Sequence, residues 1–248
     1  MKHKATEPVL EVIRAAETMK MRDGSPVELI DLKPGTDYQV VQVGSRLRAE
    51  PFKERVAGVV GGFHFDLGGS ILRTSIWDAK RRPAADPRGM FFVEGSVPFW
   101  CDIYLMNRDG LSRADSEIAD GYEYLPHGYK DLTQKTAVKI LAQQGKQLLS
   151  CEEFRLMASG VREGLATETK QLKTGRFPGL TSSYGAEQAT GTLWVWSREI
   201  DTAKWPYILG GSWLYSGYAG PSCVDIDLPG NSYGILGARG RCDHLNLS

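Results

Sequence analysis

The sequence predicts an α+β protein with long loops, and three observations support this class. Only residues 132–144 and 150–159 combine a helical spacing of apolar residues with signals for helix ends. Short apolar runs broken by glycine and proline are typical of strands. The 28 glycines and six tryptophans indicate loops anchored by aromatic side chains. A chain of 248 residues fits one large domain, or one domain with a small appendage.

Residues 1–49 are predicted to form a small separate unit made of a helix and a hairpin. Apolar residues recur on one helical face over residues 8–20. Strands are expected over residues 27–32 and 36–43, joined by a turn at residues 33–35, where proline presets φ and glycine accepts a positive φ. Because a lone hairpin is marginal in water, we expect this unit to pack on the larger domain or on a neighbouring copy of itself, and to serve in assembly or attachment.

Residues 50–248 are predicted to form the main domain. It begins with a strand within residues 55–65, whose glycines allow close backbone approach. A polar, proline-containing loop is expected over residues 75–87. The aromatic run at residues 89–106 predicts two short buried strands, and the run at residues 107–129, rich in aspartate, glycine and serine, predicts a long loop.

The two helices are the strongest local predictions in the chain. The first covers residues 132–144 and is ended by Gly145. The second begins at Ser150, whose hydroxyl suits the N-cap, with Glu153 placed to complete a capping box. It ends at Gly160. After a loop, a short strand over residues 191–196 carries its tryptophans on one face.

The last third of the chain consists of two rigid-looking sequence blocks around a segment without a period. We call residues 209–213 and 237–245 the anchoring blocks, and residues 214–235 the display segment. No helical or strand periodicity runs through the display segment. A packed element requires such a period, so we expect an exposed surface held at both ends by the blocks. Such a surface suits binding better than chemistry.

Composition excludes several classes of function. Lysine plus arginine equals aspartate plus glutamate, so the formal net charge is zero and a general nucleic-acid binder is disfavoured. No apolar run approaches the roughly 20 residues of a membrane span. The N-terminus lacks the apolar core of a secretory signal, so we expect synthesis in the cytoplasm without a signal peptide.

The cysteines and histidines show no metal-site spacing, and neither a metal nor a cofactor is expected. Three disulfide pairings are possible among the four cysteines, although free thiols are favoured without a secretory signal. The cysteines are Cys101, Cys151, Cys223 and Cys242. Adjacent Glu152 and Glu153 point about 100° apart on a helix, so a first-turn role explains them better than catalysis.

Aromatic and charged residues near the C-terminus allow two interpretations each. Four tryptophans could form a carbohydrate-stacking platform, but burial in the core is favoured; these are Trp194, Trp196, Trp205 and Trp213. Three tyrosines of the display segment are expected to be exposed and to bind, because tyrosine gives a large contact area at low entropy cost; these are Tyr215, Tyr218 and Tyr233. Arg239, Arg241 and Asp243 are expected to form an internal salt-bridge set rather than a ligand site.

The ordered motifs resemble the formylglycine-generating-enzyme type of C-type-lectin fold. They are the helix followed by Gly145, Leu148-Leu149-Ser150, Glu152-Glu153-Phe154, Met157-Ala158-Ser159-Gly160, Trp194-Val195-Trp196, Gly210-Gly211-Ser212-Trp213 and a terminal Gly-Ala-Arg block. The ending, Gly237-Ala238-Arg239-Gly240-Arg241-Cys242-Asp243-His244-Leu245, more closely resembles the variable proteins of diversity-generating retroelements, which include phage receptor-binding proteins. The resemblance covers roughly residues 55–248.

This resemblance implies a C-type-lectin-like ligand-display domain, with two helices flanking a small, mostly antiparallel sheet. It implies a variable segment at about residues 205–236, mutated through an adenine-targeted reverse transcriptase. The implied scaffold positions are Gly210, Gly211, Ser212, Trp213, Ala219, Gly220, Gly237, Arg239, Gly240, Cys242 and Asp243. The implied ligand-binding positions are Leu214, Tyr215, Ser216, Tyr218, Val224, Asp225, Asp227, Leu228, Tyr233, Gly234 and Ile235.

The function implied is non-enzymatic binding of a protein or cell-surface receptor by a phage or prophage tropism protein. The implied location is the phage tail tip or an exposed cell surface, and the implied assembly is a homo-oligomer, a trimer being the first expectation. The alternative is a formylglycine-generating-type oxidase, for which Cys223 and Cys242 come nearest to a reactive thiol pair. The calcium-binding triplets of sugar-binding lectins are missing from the sequence, which disfavours metal-dependent sugar binding.

Overall fold

The computed structural model describes residues 12–14, 19–54, 56–121, 129–171 and 173–245. Within these ranges the protein has seventeen short strands and two α-helices, so strands predominate. The strands form sheets of eight, five and four strands. All pairings are antiparallel except two, and long connections separate the elements. The α+β class is therefore observed, but with three sheets where the sequence predicted one small sheet and a hairpin.

The first sheet uses the first eight strands of the chain. These are β1 (Val12–Arg14), β2 (Met19–Lys20), β3 (Pro26–Glu28), β4 (Thr36–Val43), β5 (Arg46–Pro51), β6 (Val59–Phe65), β7 (Ser70–Leu72) and β8 (Trp77–Asp78). Their order is β1-β7-β6-β4-β5-β3-β2, with β8 also paired to β6. One face covers a cluster that includes Met19, Tyr38 and Phe63. β4 lies at the centre of this order, and its Tyr38 and Val40 are buried in that cluster.

The helix predicted over residues 8–20 is wrong where it can be compared. Residues 12–14 form β1, which pairs with β7, and residues 19–20 form β2, which pairs with β3. The rest of the prediction lies outside the described residues. Each of these short strands is fixed by hydrogen bonds to a partner strand, which the local spacing of apolar residues does not encode.

The predicted hairpin is also wrong. β4 is predicted correctly, but it pairs with β5 and β6, not with the segment at residues 27–32. Gly44, at φ +62°, makes the tight turn that returns the chain from β4 to β5. The predicted boundary between residues 49 and 50 falls inside β5 (Arg46–Pro51). The role of residues 1–49 in assembly or attachment stays a prediction.

Two further sheets organise the rest of the chain. One contains β9 (Arg82–Pro83), β10 (Met90–Val93), β11 (Phe99–Asp102), β12 (Gln147–Leu148) and β17 (Gly240–Leu245), in the order β10-β11-β17-β12 with β9 also on β17. The other contains β13 (Trp194–Ile200), β14 (Pro206–Leu209), β15 (Val224–Ile226) and β16 (Leu236–Gly237), in the order β15-β14-β13-β16. The last strand of the chain is thus central to the five-stranded sheet.

Both predicted helices are present. α1 (Gln134–Gln143) is capped by Thr133, and Gly145 follows it at φ +69°. α2 (Cys151–Met157) begins with the predicted capping box, in which Ser150 Oγ accepts from Glu153 N at 3.1 Å and Glu153 Oε2 accepts from Ser150 N at 2.8 Å. These signals are local, which is why the sequence alone located both helices.

The helices pack in two different parts of the core. The apolar face of α1 joins the cluster of Trp194 and Trp196, and that of α2 joins the cluster of Leu209. Both strands predicted within residues 89–106 exist, as β10 and β11. The loop predicted at residues 107–129 forms only isolated bridges in its described part, and residues 122–128 lie outside the described residues.

Candidate ligand-binding surface

Two consecutive glycines begin the candidate site, and neither position has room for a side chain. Gly210 and Gly211 have φ of +89° and +75°. A Cβ on Gly210 would lie 2.5 Å from Phe154 Cζ, and one on Gly211 would overlap the carbonyl oxygen of Tyr218. The backbone here therefore passes directly against α2 and against the far end of its own turn, which agrees with the scaffold role that the resemblance implied for this Gly-Gly pair.

The second anchoring block is held by a buried arginine. The guanidinium of Arg239 is fully buried, and Nη1 donates to the carbonyl oxygens of Asp102 at 2.7 Å and Ile103 at 2.6 Å. Nη2 donates to the carbonyl oxygens of Glu187 at 2.6 Å and Gln188 at 3.2 Å. One side chain therefore joins the end of β11 to the loop that precedes β13.

The predicted internal salt-bridge set is correct for Arg241 and not for Arg239. Arg241 pairs with Glu153 at 2.6 Å and with Asp243, whereas Arg239 uses neutral carbonyl oxygens. Glu153 also pairs with Arg198 at 3.0 Å. This carboxylate is thus occupied by the helix cap and by two cations, which is a structural role and not a catalytic one.

Between the blocks the chain turns outward. Residues 213–218 form an irregular 3-10 turn, the chain then passes through β15, and a turn at residues 227–231 leads to β16. Tyr218 is 72% exposed. The expected exposure is therefore seen for the rim residues Leu214, Tyr215, Ser216, Tyr218, Asp225, Leu228 and Tyr233, while Val224, Asp227, Gly234 and Ile235 are half-buried.

These residues surround an open groove of about 980 Å³, which we call the display groove. Nine of the eleven predicted ligand-binding positions line it: Leu214, Tyr215, Tyr218, Val224, Asp225, Asp227, Tyr233, Gly234 and Ile235. Ser216 and Leu228 are exposed but do not line the groove. The structure thus brings together residues that are up to twenty-one positions apart in the chain. Their binding role remains a prediction.

Sequence reasoning missed several residues of the groove. They are Lys170, Trp194, Ile208, Trp213, Cys223 and Ile226. Ile226 lies between Asp225 and Asp227 on an exposed strand end, a position from which its inclusion could have been inferred. Lys170 belongs to a loop far from the display segment in sequence, and no local signal pointed to it.

The display segment rests on main-chain and carboxylate contacts from earlier loops. Gly121 N donates to Tyr233 O at 3.1 Å, and Gly164 N donates to Ala219 O at 2.6 Å. Glu163 Oε1 accepts from Ser222 N at 2.8 Å. Contacts of this kind hold the backbone without depending on the side chains that face the groove.

The tryptophan predictions are partly correct. Trp194 and Trp196 are buried in one cluster. Trp213 was expected to be mostly buried but is half-buried, because the turn that it begins lies at the surface and one side of its ring faces the groove. Trp205 is 40% exposed, so it does not belong to the core.

The thiol pair of the enzyme alternative is not assembled. Cys223 Sγ lies 4.0 Å from Glu163 Oε2, whereas Cys242 Sγ contacts Met90 Sδ at 3.9 Å within another cluster. All four cysteines are free. Burial raises the pKa of the Cys242 thiol to about 11, and it also raises the pKa of Cys223, so neither is activated as a thiolate.

The described residues contain no group of three or more histidine, cysteine, aspartate or glutamate side chains arranged to hold a metal ion. Over the same part of the chain, no helix has the length and apolar character that a membrane crossing requires.

Comparisons with known proteins identify relatives along almost the whole chain. No protein-family model matches. The tail fiber receptor-binding protein of Bordetella phage BPP-1 is 29% identical over 280 residues, which cover 87% of this chain and 73% of that protein. The solved M1 variant of the Major Tropism Determinant is 27% identical with a TM-score of 0.84, and covers 99% of this chain and 86% of its own. The U1 variant gives 26% identity and the same TM-score, with 98% and 86% covered.

These matches confirm the resemblance predicted from the anchoring blocks. In sequence and in fold, the chain is similar to the Major Tropism Determinants, which are variable proteins with a C-type-lectin fold. The similarity is not limited to residues 55–248, since it extends through the first sheet. The formylglycine-generating detail of the prediction receives no such support.

Proposed function

We propose that this chain, which shares the fold of the Major Tropism Determinants, is a non-enzymatic receptor-binding protein of a phage or prophage. One observation carries the proposal: the display segment forms an exposed groove, while residues 209–212 and 237–242 of the blocks on either side are buried. Its relatives are named for receptor binding and tropism. We place the protein at the tail of the virion and expect its ligand to be a protein or another receptor on the cell surface.

The exposed aromatic residues of the groove support binding. Tyr215, Tyr218 and Tyr233 offer large, stiff contact surfaces and lose little entropy when they bind. Six of the twelve exposed large hydrophobic residues of the described chain belong to the display segment, whereas others, such as Val97, are isolated in sequence. A concentration of exposed apolar side chains marks an interaction site in a soluble protein.

The exposed positions also suit diversification. Surface substitutions away from special features change stability within about 0.5 kcal/mol, so side chains such as Tyr218 can vary without loss of the fold. Sequencing the genes on either side of this one tests this part of the proposal. We expect a reverse-transcriptase gene and a near-copy of the region that encodes residues 205–245, differing from this gene only at template adenines.

The binding experiment uses the fluorescently labelled chain on a panel of bacterial strains. The test variant carries Tyr215→Ser, Tyr218→Ser and Tyr233→Ser. The matched control carries Ile30→Ser, Val43→Ser and Val97→Ser, three exposed apolar residues outside the display segment. We expect any strain that binds the native chain to bind the control equally and to lose the test variant. Equal staining by the test variant would refute the proposed site.

The proposed assembly is a homo-oligomer, with a trimer expected first. Repetition of a weak site on one particle raises avidity without any new contact. Light scattering after size exclusion at micromolar concentration measures the assembly directly. A monomer under these conditions would contradict the assembly and would leave the binding proposal intact.

A further inference from the structure

The charge of the display groove indicates what kind of surface it recognises. Residues 205–236 contain two carboxylates, Asp225 and Asp227, and no lysine or arginine. The remaining charged residue of the groove, Lys170, pairs with Asp120 at 2.5 Å, so its charge is compensated within the protein. The groove is therefore acidic although the whole chain has a formal net charge of zero.

The two carboxylates are held in fixed positions. Asp225 Oδ1 accepts from Ile226 N at 2.8 Å. Asp227 Oδ1 accepts from Leu228 N at 2.8 Å and from Asn231 Nδ2 at 2.6 Å. Neither Oδ2 oxygen has a hydrogen bond or an ion pair within the described residues. Each aspartate thus uses one oxygen to fix its own conformation, and both residues line the groove.

The rest of the lining is aliphatic and aromatic. Leu214, Val224 and Ile226 line the groove together with the three tyrosines, and so do Trp194 and Ile208, which belong to a buried cluster. Carboxylates and aromatic rings also occur in sugar sites, but the branched aliphatic side chains of this lining offer no hydrogen bond to sugar hydroxyl groups. Branched aliphatic side chains instead fit the apolar side chains of a protein.

We infer that the groove binds a protein surface in which an apolar or aromatic side chain is flanked by lysine or arginine. The inference rests on the proposed function and adds the class of partner. The apolar side chain would occupy the groove between Tyr215, Tyr218 and Tyr233, and the cations would pair with Asp225 and Asp227. Such rim charges act mainly on the rate of association and on its salt dependence.

The probe is a displayed library of random peptides closed into loops by a disulfide. Selection on the immobilised native chain should enrich peptides with more lysine and arginine than aspartate and glutamate. The Kd of a selected peptide should rise about fivefold between 50 and 500 mM salt, because salt screens the attraction between the exposed carboxylates and the cations of the peptide.

The variant that isolates the charges carries Asp225→Asn and Asp227→Asn. Asparagine keeps the oxygen that accepts the local hydrogen bonds, so the turn is preserved while two charges are lost. We expect selected peptides to bind this variant about fivefold more weakly, mostly through slower association. The control Glu28→Gln with Asp31→Asn removes the same charge from two exposed positions, one in β3 and one in the loop after it, and should change the Kd less than twofold.

The outcomes separate this inference from the function on which it rests. Peptides that depend on the three tyrosines but show no excess of basic residues, or bind the asparagine variant normally, would overturn the inference alone. Peptides that bind the triple tyrosine variant as tightly as the native chain would overturn the proposed site as well. Tyrosine-dependent binding to an immobilised oligosaccharide panel, or a selection that yields no binder, would also overturn the protein-partner inference.

Discussion

The anchoring blocks and the display segment are neighbours in sequence and opposite in burial. Arg239 is fully buried and satisfies four carbonyl oxygens, whereas Tyr218 is 72% exposed and faces the groove. The blocks depend on particular atoms in particular positions, while the display segment depends chiefly on backbone contacts. A protein can therefore keep its fold and vary its surface when the two requirements fall on separate residues.

Arg239→Lys should produce the largest loss of stability. Lysine keeps the charge but lacks the planar fork, so it cannot reach both pairs of carbonyl oxygens, and buried acceptors lose their partners. We expect a loss of about 4 kcal/mol in the free energy of unfolding, measured by urea denaturation. The matched change Arg113→Lys affects an exposed arginine paired with Asp109 and should cost less than about 0.5 kcal/mol. Equal losses of unfolding free energy in Arg239→Lys and Arg113→Lys would contradict the claim that the anchoring blocks contribute more to stability than the exposed surface.

Gly211→Ala should follow, with a loss of about 3 kcal/mol. The positive φ disfavours any L side chain, and the new methyl group would overlap the carbonyl oxygen of Tyr218. Gly217→Ala is the control within the display segment, because a Cβ there meets no atom within 4 Å. We expect the control to unfold within about 0.5 kcal/mol of the native chain. A Gly211→Ala variant with the free energy of unfolding of the native chain would show that the backbone can move to accommodate the methyl group.

Trp213→Ala should have an intermediate effect. Truncation of a fully buried tryptophan costs about 3–5 kcal/mol, and the half-buried ring should lose roughly 2 kcal/mol. Thermal unfolding of the purified variant measures this. A loss as large as that of Arg239→Lys would mean that the ring is as essential as the buried guanidinium and that Trp213 belongs wholly to the block.

The smallest effect on stability should come from the triple variant Tyr215→Ser, Tyr218→Ser and Tyr233→Ser. The exposed rings lose little burial, and the contact of Gly121 with residue 233 involves only the backbone. We expect a total change of about 1 kcal/mol or less in the free energy of unfolding. Cooperative unfolding at a much lower urea concentration would identify these tyrosines as core residues and contradict the comparison between the regions.

Local signals made the middle and the end of the chain predictable. Ser150 and Glu153 are three residues apart and form a capping box wherever a helix begins, so sequence was sufficient for α2. The lack of a period in residues 214–235 likewise indicated exposure, and nine of the positions that the resemblance implied line one groove. The count of sheets was not predictable in this way, because strand pairing joins residues such as Gly240 and Leu148, which are distant in the chain.

The sequence by itself determined that two helices lie within residues 132–144 and 150–159, that Ser150 and Glu153 cap the second, and that the display segment is largely exposed. Tertiary structure alone decided that β4 pairs with β5 and β6, that Arg239 binds carbonyl oxygens, and that Lys170 reaches the display groove. The physical reason is range. Caps, turns and periodicity act over a few residues, whereas strand pairing, buried hydrogen bonds and groove walls depend on contacts made after the chain has folded.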